Sequence, residues 1–453
     1  MMHVEPTWKR VGLSEPLAEN SGEGIHIIIL DDIAPHVSLQ HLKDRVKIVE
    51  VAKDYAVHCM DVFEKPLVKT LSEYDRHGVM VLNLLAHKRF EYQGNPYTGL
   101  ARSANFIFLP TTKPDRIKVG LKWILDQNWK PQLVLNLIVP QGKGLMTPTN
   151  QDSYTQALEP AIEAGLLVVS AGGNSKALCN LHPNSFFTIG GLNDKGSHDS
   201  SQYEPHPSVP YGLNGDGYFR PDLLAPYTYI PFPHFKEREE LDYFGGTCGS
   251  STLIAGLCAY LMSTFPGLTA NMIRNVLIET GDIFEGLPAP VVNGAKAIEA
   301  IESGYRNDTP PSVKPRVKVT DADKSILSRD PLERALALTS FIQNKQLSRA
   351  EIWAYVDDES PLVKKVALRG LGDPIDFDER VYQESSEWGV REYWGYTLLH
   401  TASPDEIHKW IAYKHIQRSI YGYALTSSYK NFTLMPLRWR LHQIQPLISW
   451  MKR

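Results

Sequence analysis

The chain has 453 residues, and at roughly 150 residues per domain it has room for up to three domains. Hydrophobic residues make up 43% and charged residues 22%, an ordinary globular composition that excludes collagen, coiled coil and wholesale disorder. Forty-seven basic against fifty-one acidic side chains leave a net charge of -4, so no chain-wide field draws in nucleic acid or anionic lipid; either partner would need a local patch.

The first 24 residues lack the apolar core of a secretion signal. The longest apolar stretch, 252–262, is about eleven residues, short of the roughly 18 to 20 needed to cross a bilayer. Cys59, Cys179, Cys248 and Cys258 form neither a disulfide framework nor a zinc spacing. The expectation is a soluble cytoplasmic protein with reduced thiols, no membrane partner and no cofactor.

From Gly24 to about residue 300, apolar runs alternate with helix-like stretches. The runs are IHIIIL (25–30), ANFIFL (104–109), LVLNLIV (133–139), LLVVSAG (166–172) and FFTIGG (186–191). The stretches HGVMVLNLLAH (77–87), RIKVGLKWILDQN (116–128) and QALEPAIEAG (156–165) repeat their apolar residues at three and four. Fully apolar strands separated by helices predict an α/β fold, a mostly parallel sheet with helices on both faces, over residues 1–303.

A polar, proline-containing stretch at 304–325 reads as a linker. Beyond it, over 326–453, helix starts are explicit: Asp330-Pro331 with Glu333, Ser348 with Glu351, Ser360-Pro361, and Ser403-Pro404 with Glu406. These predict a smaller all-α domain. DPLERALAL (330–338) and SPLVKKVAL (360–368) share a Pro-Leu step and a later Leu, a match similar to HEAT or armadillo repeats. One nine-residue match also arises by chance between amphipathic helices, so repeat and non-repeat readings both stand.

Between 407 and 453 lie eight basic residues and no acid, interleaved with aromatics such as Trp410, Tyr421, Trp439 and Trp450. Such a surface could hold bases or phosphates. Aromatics at helical spacing are more often core, however, and acids in 326–406 balance the basic groups. A protein-docking module that regulates or recruits is the stronger expectation, with nucleic acid disfavoured.

Four elements carry chemistry. Asp31 ends an apolar strand, where open α/β sheets place their sites, although taken alone it reads as a turn or capping residue. His77 opens a helix and is by itself equally a capping or surface histidine. AGGN (171–174) follows a strand and alone reads as a turn, yet the Asn174 amide could serve as an oxyanion donor. GGTCGSSTLIAGLCAYL (245–261) sets a glycine-rich turn before an apolar helix, where Cys248 meets free amides and the positive end of the dipole; Gly256 would let that helix pack closely on the sheet.

Together these resemble the subtilisin-like proteases. ILDDI (29–33), HGVMV (77–81), VVSAGGN (168–174) and GTCGSST (246–252) follow the family's motifs in its chain order of Asp, His and nucleophile. GLARSANFIFLP (99–110), PQLVLNLIV (131–139) and PDLLAPY (221–227) extend the resemblance over about residues 20–300. It implies that fold, a catalytic Asp31 and His77, an oxyanion donor in Asn174, and a substrate groove near Leu135, Ile138 and Val139 on one side and Ala171 and Gly172 on the other.

The sequence departs from the pattern in several places. Val79 and Met80 follow HG where the family usually has Thr-His, and only thirty residues precede Asp31, without a propeptide-length segment. Cys248 stands in place of the reactive serine, and Thr252 in place of the following proline. Three explanations are open: a natural cysteine nucleophile, an engineered replacement of serine, and an inactive cleft kept for binding. Thr252 weighs against the second and the retained Asp31, His77 and Asn174 against the third. On the first, an imidazolium and a helix N-terminus favour the reactive thiolate. Ser250 and Ser251 are fallback nucleophiles.

The function expected is an intracellular endopeptidase working through an Asp31-His77-Cys248 triad and a thioester, regulated or targeted by its helical domain. The alternatives are a peptide ligase or cyclase using the same thioester, or an inactive peptide-binding protein. No compact acidic loop stands out, so no metal ligand is assigned and calcium, bound by many relatives, stays open.

Overall fold

Ile27, Ile28, Ile29 and Leu30 expose no surface at all, as a strand covered on both faces requires. Each such side chain contributes roughly 1.5–3 kcal/mol by its burial. They form β1 (His26–Asp31), a central strand of the sheet. The computed structural model describes residues 4–32, 35, 42, 44–61, 77–139, 148–174, 182–206, 209–233, 241–312 and 322–371.

Ahead of β1 lies the short helix α1 (Thr7–Arg10); after it come β2 (Val46–Val51), β3 (Val57–Asp61) and α2 (His77–Ala86). A small hairpin, β4 (Phe90–Tyr92) with β5 (Asn95–Tyr97), leads into β6 (Asn105–Pro110), α3 (Pro114–Leu125) and β7 (Leu133–Asn136). Next are α4 (Ser153–Ala157), α5 (Glu159–Glu163), β8 (Leu167–Ala171), β9 (Phe187–Asn193) and β10 (Glu204–Pro205). β11 (Gly212–Leu213) pairs with β12 (Phe219–Arg220), β13 (Leu223–Pro226) rejoins the main sheet, and β14 (Ile230–Pro233) pairs with β15 (Leu241–Phe244). The helices α6 (Gly246–Thr264), α7 (Ala270–Glu279) and α8 (Gly294–Glu302) follow.

Among the described residues the main sheet has nine strands, in the order β10-β9-β8-β7-β1-β6-β2-β3, with β13 also on β9. Its interior pairs are parallel, and only β3 on β2 and β10 on β9 run antiparallel. One face packs on α2, α6, α7 and α8, the other on α3, α4 and α5. The expected α/β class, with a mostly parallel sheet between helices, is thus present.

Several local expectations change. The apolar run at 133–139 leaves the sheet after Asn136, whose side-chain Oδ1 accepts from the Ile138 amide at 3.2 Å and turns the backbone. The helix expected over 156–165 is two short ones, α4 and α5, because Pro160 in the first turn of α5 has no amide to continue the ladder. Gly256 does not meet the sheet: a Cβ there would come 2.7 Å from Leu100 Cβ, so it lets α6 close on α2 and the turn behind it. Strands β2 and β3 were not anticipated.

After α8 the chain continues to Ser312, whose carbonyl accepts from Asn184 Nδ2 at 2.8 Å and from the Tyr218 hydroxyl at 2.5 Å. Among the described residues four α-helices follow: α9 (Ala322–Ser325), α10 (Pro331–Gln343), α11 (Arg349–Ala354) and α12 (Pro361–Leu371). Three of the four caps read from sequence are present, Asp330 on the Leu332 amide, a Ser348/Glu351 capping box and Ser360 on the Leu362 amide; Ser403 lies outside the described residues. The two mutually similar segments are α10 and α12, which pack on each other. The basic, aromatic stretch at 407–453 lies outside the described residues.

Candidate active site

The carboxyl ends of β1, β7 and β8 meet the N-termini of α2 and α6, and the expected catalytic side chains come from these ends. Asp31, the last residue of β1, is 2% exposed, His77 at the start of α2 is 6% exposed and Cys248 in the first turn of α6 is 5% exposed. His77 Nδ1 lies 2.6 Å from Asp31 Oδ2. The other Asp31 oxygen accepts from the Asp32 amide at 2.8 Å, so the carboxylate is held from both sides.

A carboxylate on Nδ1 places the proton there and leaves Nε2 for Cys248, whose side chain hydrogen-bonds to His77. Burial alone would lower the His77 pKa, but the Asp31 charge and hydrogen bond, with the Cys248 contact, raise it well above the usual histidine value. Phe244 covers the imidazole edge-on at 5.2 Å between ring centres. The Cys248 thiol also reaches the carbonyl of Leu137, within the LVLNLIV run, at 3.9 Å.

Asn174 is fixed by Thr247. Its side-chain oxygen accepts from the Thr247 amide at 2.7 Å and the Thr247 hydroxyl at 3.0 Å. Because that amide can only donate, the bonded atom must be Oδ1, which leaves Nδ2 as the donor to offer. The Thr247 hydroxyl accepts in turn from the Gly173 amide at 3.0 Å. Gly246, at φ +81°, makes room: a Cβ there would lie 3.0 Å from Asn174 Nδ2. The amides of Gly246 and Thr247 are taken by Tyr227 and Asn174 respectively, whereas the Cys248 amide belongs to the first turn that a helix leaves unbonded. Thr247 was not picked out from the sequence, although it stands in the GTC motif itself.

The residues expected along the groove divide. Leu135, Ile138 and Ala171 are buried in the core, Leu135 within the sheet between β1 and β8 and Ala171 beside β9. Val139 is half-buried and lies opposite Gly173, where a Cβ would be 3.4 Å from Val139 Cγ1; Gly172, next to it, donates its amide to Ile189. The fallback serines are both fully buried, and the Ser250 hydroxyl donates to the Pro226 carbonyl at 2.8 Å. Thr252 donates its hydroxyl to the Cys248 carbonyl at 2.7 Å, a bond proline could not make.

Asp32 is exposed beside Asp31 and His77. Partial desolvation of its carboxyl, with the hydrogen bond and charge of Asp31, pushes its pKa up to about 6. Asp31, Asp32 and His77 are, among the described residues, the one His/Cys/Asp/Glu group whose ligand atoms lie within 4.8 Å of one another. Asp31 and His77 already bind each other at 2.6 Å. Among the described residues no helix is long and apolar enough to cross a membrane.

Solved structures similar to this chain include a protease from Pseudoalteromonas arctica, at 16% identity over 62% of this chain and 91% of that one, TM-score 0.44. The protease domain of PatA is similar at 17% identity, covering 64% and 99%, TM-score 0.45. Fervidolysin from Fervidobacterium pennivorans, a keratinolytic enzyme related to subtilisin, matches at 17%, covering 62% and 43%, TM-score 0.41. Residues 141–309, which hold Asn174 and Cys248 but neither Asp31 nor His77, match the peptidase S8 family, the subtilases.

Proposed function

We propose that this chain is a peptidase of the subtilase type in which Cys248 is the nucleophile, His77 its base and Asp31 the group that orients His77. The observation that carries the reading is the continuous contact from Asp31 through His77 to Cys248, at the mouth of a helix and next to a bonded-down Asn174. A cleft kept only for binding needs none of this order.

In this reading an extended peptide lies along residues 137–139 and 171–173, its backbone bonding to those strand ends. Cys248 gives its proton to His77, and the sulfur attacks the scissile carbonyl. The developing oxyanion is met by the Asn174 amide group and the Cys248 backbone amide, both held before substrate arrives. His77 returns the proton to the departing amine, leaving a thioester on Cys248. His77 then activates water, which releases the acid and restores the thiol. A thioester also reacts with amines, so an added amine peptide would be the competing acceptor that makes the chain a ligase. A cytoplasmic setting, and a role for residues 326–453 in regulating or recruiting substrate, belong to the same proposal.

The test is incubation of the protein and its Cys248→Ala variant with a denatured proteome, with and without an amine peptide, followed by mass spectrometry of termini and junctions. New termini dependent on Cys248 support the peptidase; joined products in their place support transfer. Identical products from both forms would overturn the assignment of Cys248. Removing 326–453 should change activity or bound partners, and no change in either would remove the regulatory role.

A further inference from the structure

His182 plays no part in the chemistry above, yet it is 1% exposed and stands behind the groove. Its Nε2 lies 2.8 Å from the Ala171 carbonyl and 3.2 Å from Ser170 Oγ. A carbonyl can only accept, so Nε2 carries the proton and donates to β8. Ser170 Oγ accepts as well from Asn136 Nδ2, at 2.8 Å, and Asn136 Oδ1 receives the Ile138 amide. One buried chain of hydrogen bonds thereby joins the carboxyl ends of β7 and β8, the two strands that run out into the groove walls. Burial, partly offset by the Ala171 bond and reinforced by the Arg220 charge, pushes the His182 pKa down to about 4, so the ring is neutral at ordinary pH.

The same residue is anchored from behind. Its carbonyl accepts from Asn214 Nδ2 at 2.8 Å and Arg220 Nε at 3.4 Å, while Arg220 also reaches Asn184 and Asp222. A rigid scaffold on one side and two strand ends on the other are what a part that sets a spacing requires.

Building on the peptidase reading, we propose that His182 is a positioning residue for the substrate groove, fixing residues 137–139 and 171–173 at the separation that grips an extended peptide. It touches none of Asp31, His77 or Cys248 in the contacts above, so it acts on how substrate is held and not on the thiol's reactivity.

The test compares two reagents on Cys248. Iodoacetamide reads the thiol alone; a peptidyl chloromethyl ketone, its sequence taken from a mapped cleavage site, reads thiol and groove together. His182→Asn puts an amide where Nδ1 stands and loses the Ala171 bond, whereas His182→Gln can place its amide near the position of Nε2. The Asn variant should raise KI for the peptidyl reagent at least tenfold while the iodoacetamide rate stays within twofold of the unaltered protein, and Gln should stay within threefold on both. An unchanged KI in the Asn variant, or equal slowing with both reagents, would overturn the proposal. Should the Asn variant fail to fold, a tenfold rise in KI for the Gln variant would overturn it equally. If the peptidyl reagent labels unaltered Cys248 no faster than iodoacetamide does, the peptidase reading itself fails, an outcome distinct from a His182 effect that is absent.

Discussion

Thr247 holds Asn174 by two hydrogen bonds to one oxygen, at 2.7 Å from its amide and 3.0 Å from its hydroxyl. Those bonds aim the Asn174 nitrogen before any substrate is present, which is the condition for electrostatic stabilisation without reorganisation. Asn174→Ala should therefore lower kcat by roughly 10²- to 10³-fold with a smaller effect on KM. Thr247→Val keeps the amide bond and loses the hydroxyl, so a loss of roughly five- to tenfold is expected. Steady-state kinetics on a mapped cleavage peptide checks both, and equal losses from the two variants would contradict the order of importance.

Asp32 supplies a pH dependence. Its pKa of about 6 lies above the ordinary aspartate value, so the folded protein binds more protons than the unfolded chain between about pH 4 and 6. The sign follows: the ionised carboxylate beside Asp31 is a destabilising term present in full above pH 6, relieved as pH falls through that value. Asp32→Asn should melt at a higher temperature than the unaltered protein at pH 7 to 8, and the gap should close towards pH 4. Thermal melts across that range would show it, and a gap independent of pH would refute the assignment.

The N-terminal segment is tied in by a buried ion pair. Arg10 meets Asp194 through two nitrogens at 2.7 Å each and donates to the Thr228 and Tyr229 carbonyls. Removing one partner leaves the other charge buried, so Arg10→Ala should cost about 3–5 kcal/mol in chemical denaturation. The paired replacement Arg10→Met with Asp194→Leu should recover much of that loss, because no charge is then stranded.

The main sheet was legible because its strands are apolar on both faces: β1, β6, β8 and β9 all lie within a residue or two of the runs at 25–30, 104–109, 166–172 and 186–191. β2 and β3 were missed because VKIVEV and VHCMD mix charged with apolar residues, as strands near an edge do. Asp31, His77 and Cys248, which the structure brings together, stand out in the sequence only through motif order, and no single residue would suffice. His182 could not be found this way, and Leu137 only as part of the run at 133–139. Their contacts run through backbone carbonyls, that of Ala171 to His182 and that of Leu137 to Cys248, and the identity of a residue says nothing about where its carbonyl will point.

The most direct measurement is intact-mass spectrometry of the protein mixed with a mapped peptide substrate and quenched in acid. The expected result is an acyl adduct that maps to Cys248, is released by hydroxylamine, and is lost in His77→Ala, whose base is gone. No adduct on Cys248, or one that forms equally fast in His77→Ala, would contradict the triad on which the proposed function stands.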